Sequence, residues 1–309
     1  MIRITRTGKH SLVIQNPVMP AAGIMGFANA YYSLINSEKL GAYVTNPITY
    51  EAWSPASGTR VVPLDAGILV HTGLPNPGLK GAIKEYSPVW HNMPVPVILH
   101  LVATTPDLIR RAVEMIDRED GIAAIELGLD DDIDAHEASS LVKAATSHAE
   151  KPVLVRLPVY DAYELAPAAV DAGADALVIA SPPRGTARDP RSGRLVSGRV
   201  YGPLIKPMVL RLVGVLARRI QDVPIIGAGG IHTLQDARDY LEAGAVAVQI
   251  DSVAWIQPNL VERIARDLGG SLVTRATDAF PDEWHPDMGD TEFRRLFGDD
   301  QDDSASRRG

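Results

Sequence analysis

VPIIGAGGIHTLQDARDYLEAGAVAVQIDS (Val223–Ser252) reads as an apolar strand, a glycine turn, an amphipathic helix and a second apolar strand. Val223–Ile226 is apolar throughout, as a parallel strand buried on both faces requires. Gly227, Gly229 and Gly230 let the chain turn tightly and leave amide N–H groups that a ligand can approach. Thr233 is placed as an N-cap, Leu234, Ala237, Tyr240 and Leu241 form a helical stripe, and Gly244 stops the helix. Amides converging beside a helix start form a site for an anion, phosphate above all. The same glycines also suit a tight turn with no ligand, and this stretch alone leaves both readings open.

Working outward, the same alternation recurs. Asn16–Phe27 and Ala42–Thr49 read as the first two strands, and six more follow at Val95–Val102, Ala123–Leu127, Pro152–Leu157, Ala176–Ser181, Val223–Ile226 and Ala245–Ile250. Helical patterns separate them near Tyr32–Leu40, Pro106–Arg118, Ala135–His148, Ala162–Ala172, Lys206–Ile220 and Leu234–Ala243, with Pro258–Leu268 as a closing helix. Eight strands alternating with helices argue for an α/β fold of the TIM (β/α)8 barrel type over an open sheet. AGADALVIAS (Ala172–Ser181) and AGAVAVQIDS (Ala243–Ser252) echo one another as helix end, turn and strand. Met1–Gln15 alternates around Gly8 as a short β-hairpin closing one end of the barrel. Tyr50–Met93, rich in Pro, Gly and Trp, reads as a long loop insertion after strand 2, a length that is usually functional. One domain over 1–297 is expected, with 298–309 a disordered acidic tail.

The 309 residues carry 30 Lys plus Arg against 38 Asp plus Glu, a formal charge of −8, which gives no general footprint for nucleic acid. With no cysteine there is no disulfide, thiolate metal site or cysteine nucleophile. No apolar run reaches membrane-spanning length and no signal-peptide core opens the chain, so a cytoplasmic protein with no membrane partner is expected.

In such a barrel, chemistry sits at the C-terminal strand ends and the loops after them. Arg156 interrupts the apolar strand VLVRLP, and a buried cation needs a partner, either an electron-rich ligand or Glu126 on the preceding strand. Asp130, Asp131 and Asp132 follow the fourth strand, where crowded carboxylates can raise one another's pKa and make a base. The other reading is a solvated acidic loop with Asp134 capping the next helix. His100 ends a strand, and His71 and His232 lie in loops expected to face the same mouth. No histidine pair has metal-ligand spacing on one helix, so no metal is expected.

Taken together, NPVMPAAG (Asn16–Gly23), VTNPIT (Val44–Thr49), TGLPNPG (Thr72–Gly78), IEL (Ile125–Leu127), PVLVRLP (Pro152–Pro158), GPLIKPMVLRLV (Gly202–Val213) and PIIGAGGI (Pro224–Ile231) resemble the dihydroorotate dehydrogenases of the soluble class 1 type. The resemblance spans roughly Asn16 to Leu268. It implies a barrel that is usually a homodimer, acts on a small molecule and binds flavin mononucleotide (FMN) across its mouth. Ala22 and Gly23 would lie under the isoalloxazine, Asn46 stands where the family has an active-site lysine, and Arg156 replaces a lysine near flavin N1. Gly202, Gly229, Gly230, Asp251 and Ser252 would surround the ribityl phosphate. A cation near N1 suits a reduced flavin, which is negative there.

Elsewhere the chain departs from the family pattern. The fourth-strand loop is GLDDDI (Gly128–Ile133), so Asp131 takes the place of the catalytic Cys or Ser and both substrate-binding Asn side chains are missing. Val70 and Ala180 stand where the family has Asn, and Asp251 where it commonly has Gly. A site that loses several hydrogen-bond partners loses orders of magnitude toward the substrate that used them. The expectation is hydride transfer between a substrate other than dihydroorotate and flavin N5, with Asp131 as general base and Arg156 beside it as the second catalytic residue. The alternatives are a degenerate barrel that binds a phosphorylated ligand or a partner without redox chemistry, and a lyase or isomerase acting on a sugar phosphate.

Overall fold

Eight parallel strands carry the fold of the computed structural model, which describes residues 1–275 other than 9, 10, 29 and 32. They are β3 (Val18–Pro20), β4 (Tyr43–Val44), β7 (Val97–Val102), β8 (Ala124–Gly128), β9 (Val153–Pro158), β10 (Ala176–Ser181), β13 (Ile225–Ala228) and β14 (Ala247–Ile250). Their order, β3-β14-β13-β10-β9-β8-β7-β4, is that of a TIM barrel, cut only between its first two strands. Across that seam Gly41 N–H donates to Val18 O at 2.8 Å. A Cβ on Gly41 would lie 1.9 Å from Asn16 O, so only glycine allows this approach.

Among the described residues eight α-helices accompany the strands: α1 (Gly78–His91), α2 (Pro106–Ile116), α3 (Ala135–Thr146), α4 (Ala162–Asp171), α5 (Lys206–Arg219), α6 (Leu234–Glu242), α7 (Val253–Ile256) and α8 (Pro258–Arg275). Local chemistry sets their limits. On α2, Thr105 caps the N-terminus, Pro106 opens the first turn, and Ile109, Ala112, Val113 and Ile116 form the buried stripe. Each large aliphatic group in such a stripe contributes about 2 kcal/mol, more than helix propensity supplies. On α6 the expected Thr233 cap is a full capping box with Asp236.

The N-terminal hairpin is present as β1 (Ile2–Arg3) paired with β2 (Val13–Ile14). Ile4, Leu12 and Ile14 pack against the inward-facing Met19, Val44, Ile98, Leu154 and Ile226, plugging the barrel interior as expected. These units fall within Met1–Leu272; of Val273–Gly309 only 273–275 are described, so the expected tail at 298–309 lies outside the described residues. No helix among the described residues is long and apolar enough to cross a membrane.

Two expectations need correction. Within the described part of Tyr32–Leu40 there is only a 3-10 turn at Ser37–Lys39, because the Asn36 side chain accepts the Glu38 N–H and turns the chain before a helix can grow. The insertion after β4 is not a structureless loop. It holds β5 (Val61–Leu64), β6 (Gly67–Val70) and α1, whose Pro88 and flanking Pro-rich sequence disguised it. A further hairpin, β11 (Arg184–Arg188) and β12 (Leu195–Tyr201), joins β6 and β5 in an antiparallel sheet of order β11-β12-β6-β5. Both insertions leave from C-terminal strand ends, so this second sheet stands over the barrel mouth.

Candidate active site

Two residues beyond the apolar interior layer, the inward-facing positions of β7, β8, β9 and β14 become polar: His100, Glu126, Arg156 and Gln249. Period-2 alternation puts them on one level inside the barrel. Glu126 is wholly buried and central. Its Oε1 accepts from His100 Nδ1 at 2.8 Å and lies 3.4 Å from Arg156 Nη1, while its Oε2 accepts from Gln249 Nε2 at 2.5 Å. Arg156 also donates to Gln249 Oε1 (2.5 Å) and Ala180 O (3.0 Å). Burial alone would raise the Glu126 carboxyl, but the His100 hydrogen bond and the Arg156 charge outweigh it and hold the pKa at about 2. Of the two partners open to Arg156 in the sequence, Glu126 is therefore engaged. The guanidinium remains a fixed cation just beneath the mouth.

His100 fills the space beside Gly128. A Cβ on Gly128 would fall 2.6 Å from His100 Nε2 and 2.7 Å from its Cε1. The absence of a side chain at 128 is what lets the imidazole edge lie there. With Glu126 ionised, Nδ1 carries the proton donated to it, and Nε2 points to the space beside Gly128.

Of the acidic run, Asp130 and Asp132 are exposed, while Asp131 is half-buried between two arginines. Asp131 Oδ2 accepts from Arg184 Nε (2.8 Å) and Arg199 Nη2 (2.5 Å), and Asp130 Oδ1 accepts from Arg184 Nη2 (2.9 Å) and Arg199 Nη2 (3.3 Å). Arg184 and Arg199 face each other across β11 and β12, and the two carboxylates offset their mutual repulsion. Burial pushes the Asp131 carboxyl up, but Arg199 and Arg184 bring it below the usual range. This corrects the expectation of a base with a raised pKa. Asp131 Oδ1 is buried with no hydrogen-bond partner among the described residues, an acceptor kept free. Asp134 caps α3 as expected.

At the other side of the mouth a carboxyl group already occupies the glycine-rich turn. Asp251, only 4% exposed, ends β14, and its Oδ1 accepts from Ser252 N–H (2.5 Å) and Ser252 Oγ (3.1 Å). Gly230 N–H donates to the same carboxylate, which burial nevertheless pushes up in pKa. His232 Nε2 lies 3.0 Å from Ser252 Oγ. Gly229 (φ +134°), Gly230 (φ +67°) and Gly202 (φ +138°) are glycines by backbone necessity. A Cβ on Gly202 would meet Ala66 O at 2.5 Å, and one on Gly230 would meet Lys206 N at 2.6 Å. Gly227 serves packing instead, since a Cβ there would strike the Tyr240 ring at 2.4 Å. The turn is thus tight, and its Gly230 and Ser252 donors are taken by the Asp251 carboxyl.

Ala22 and Gly23 follow β3, and a Cβ on Gly23 would meet nothing nearer than Pro47 Cδ at 3.9 Å. Asn46 ends β4, where its Oδ1 accepts from Gly26 N–H at 3.0 Å and shapes the turn after β3. Asn76, in the turn thought to face a ligand, instead accepts from Thr49 N–H and Gly78 N–H and anchors that turn. The structure thus joins Arg156 to Glu126, Asp131 to the second sheet, and Asp251, Ser252 and Gly230 to one another. Sequence reading missed Gln249, Arg184 and Arg199; only Gln249, a lone amide in the apolar strand AVAVQI, carried a visible signal. Among the described residues no group of three or more His, Asp or Glu could hold a metal ion.

Comparison with known proteins agrees with this arrangement. A family model described as dihydroorotate dehydrogenase matches residues 7–272. The catalytic subunit of dihydroorotate dehydrogenase B (NAD(+)) from Trichlorobacter lovleyi is 32% identical over 281 residues, covering 86% of this chain and 92% of that protein. The proteins of the same name from Geotalea uraniireducens (32% over 274 residues, 82% and 88% covered) and Geobacter sulfurreducens (32% over 273 residues, 83% and 89% covered) match similarly. With the barrel, its plugged base and its polar mouth, these matches establish that the chain belongs to the dihydroorotate dehydrogenase family.

Proposed function

We propose that this chain is an FMN-dependent oxidoreductase acting on a carbon–carbon bond of a small substrate other than dihydroorotate. The observation that carries the reading is the match to the dihydroorotate dehydrogenase family model over residues 7–272, together with a polar barrel mouth that holds Arg156. Bound there, FMN supplies a two-electron acceptor for a substrate hydride. Ala22 and Gly23 floor the ring, Gly202 and Gly229 shape the phosphate turn, and Asn46 holds the neighbouring turn. Arg156 keeps a positive charge beneath the mouth.

Asp131 stays ionised at neutral pH because two arginines hold it. Its free Oδ1 accepts a hydrogen bond from a substrate N–H or O–H and orients the carbon to be oxidised. A carboxylate so stabilised is a weak proton acceptor, so its larger part is positioning. Gly128, Val70 and Ala180 leave no side-chain amides for a pyrimidine acid, which supports a diverged substrate. The relatives' names contain "catalytic subunit", and we propose that this chain is likewise a cytoplasmic homodimer that passes its electrons to a separate acceptor protein.

The test is a visible spectrum of the purified protein before and after incubation with FMN and dialysis, followed by anaerobic bleaching with dihydroorotate and other candidate reductants. A retained flavin band, bleached by a compound other than dihydroorotate, is the expected result. Asp131→Asn should keep the band and lose substrate-driven bleaching; full turnover by that variant removes Asp131 from the mechanism. The carboxylate already seated in the anion turn favours a second reading, a barrel that has left flavin chemistry and binds another ligand or a partner. A colourless protein with no FMN uptake selects it.

A further inference from the structure

Asp251 competes with phosphate for the same donors. Its Oδ1 takes the Ser252 N–H and Oγ–H, and Gly230 N–H donates to the same carboxylate. Among the described residues no lysine or arginine forms an ion pair with it. His232 faces it from the β13–α6 turn through Ser252 Oγ. Tyr201, at the end of β12, has its pKa pushed up to about 12 by burial, and Tyr240 on α6 is also pushed up, so both are neutral neighbours. Lys206 at the start of α5 is turned away to Asp236 and Asp239. Apart from the His232 imidazole, whose charge favours the ionised form, Asp251 is held by hydrogen bonds.

We infer that Asp251 weakens this barrel's hold on the FMN phosphate dianion and so narrows its preference for FMN over riboflavin, whose ribityl chain ends in an uncharged hydroxyl. The inference rests on the flavin reading above. A phosphate reaching for these two amides would stand on the order of 4 Å from the carboxylate. Like charges at that distance in a half-buried site weaken binding by about 100- to 1000-fold. A hydroxyl instead donates to the carboxylate and leaves the amides undisturbed. Protonating Asp251 removes the repulsion, so the penalty on FMN weakens as pH falls and grows as pH rises. The group's raised pKa brings that change closer to neutrality.

The test measures dissociation constants of FMN and of riboflavin, by flavin fluorescence quenching from pH 5 to pH 8, for the purified full-length chain and for Asp251→Gly and Asp251→Asn. In Asp251→Gly, FMN should bind about 100-fold tighter than in the original chain at pH 8, with a smaller gap at pH 5 and riboflavin nearly unchanged. Asp251→Asn keeps the size and loses the charge. It should follow the glycine variant in pH dependence, which preserves the test if the glycine variant folds poorly. An FMN-to-riboflavin affinity ratio that is the same in all three proteins at every pH overturns the inference and leaves the flavin reading standing. If none of the three binds either flavin, the flavin reading falls and the inference falls with it.

Discussion

Replacing Glu126 by Gln removes one charge from the centre of the barrel and should destabilise the fold by about 3–5 kcal/mol at pH 7. Three donors converge on this carboxylate, from His100, Arg156 and Gln249, and none of the carboxylate is exposed. An amide keeps one acceptor oxygen but turns its NH2 on at least one of those donors. It also leaves the Arg156 guanidinium, 6% exposed, with only neutral acceptors. An independent figure agrees: a carboxyl moved from 4.5 to about 2 on folding corresponds to about 3 kcal/mol. Because the folded pKa lies below the unfolded one, this stabilisation is complete above about pH 4.5 and disappears as pH falls through 2. Urea unfolding followed by far-UV circular dichroism at pH 7 and pH 3 should therefore show a large deficit at pH 7 that shrinks at pH 3. The double variant Glu126→Gln/Arg156→Gln should recover part of the loss, since the unpaired cation is gone. A Glu126→Gln protein within about 1 kcal/mol of the original at pH 7, or strictly additive single and double variants, would refute the central role given to this charge.

Gly128→Ala puts a methyl 2.6 Å from His100 Nε2 while Glu126 holds the other ring nitrogen. The ring cannot withdraw freely, so a loss of about 1–3 kcal/mol is expected in the same urea assay; an unchanged midpoint would show that the imidazole does not lie there. Gly41→Ala drives a methyl into the backbone oxygen of Asn16 at the barrel seam. Because a backbone atom cannot step aside as a side chain can, thermal unfolding should drop by more than about 10 °C, on the order of 4 kcal/mol for a chain this size. A drop of only a degree or two would mean that the seam is not closed through this contact.

How legible the molecule was depended on whether burial left a trace in the sequence. The parallel strands are buried on both faces, and their apolar runs mark six of them within two residues of their limits. β11 and β12 bury neither face: RGTAR and LVSGRVY alternate small and charged residues, and their exposed positions carry no apolar period. The clue that existed was the turn between them, where Asp189 accepts from Arg191 N–H, Ser192 N–H and Ser192 Oγ, a pattern Asp-Pro-x-Ser-Gly can suggest. α1 was hidden for another reason. Pro88 inside it and the Asn76-Pro77-Gly78 start look like loop chemistry, although Leu79, Ala82 and Trp90 are its buried stripe.

Site residues were legible by type but not by partner, and this changes what the departures from the family mean. Reading position 128 alone, the missing asparagine is a lost polar contact. In the folded barrel the empty place is taken by His100 from the adjacent strand, and its ring is oriented by Glu126, which is locked in turn by Arg156 and Gln249. Position 131 follows the same pattern: the sulfur or hydroxyl of the family becomes a carboxylate, and two arginines from a hairpin that the sequence barely announces hold it ionised. At position 251 a glycine becomes an aspartate that satisfies the amides left vacant for an anion. In each case groups at or beside the motif position are hydrogen-bonded within the chain. Random decay would leave buried donors and charges orphaned, at a cost of about 1–3 kcal/mol each. A mouth in which Arg156, Glu126 and Asp251 are partnered, with Asp131 Oδ1 the buried acceptor left over, supports the proposal of a site retuned to a different ligand.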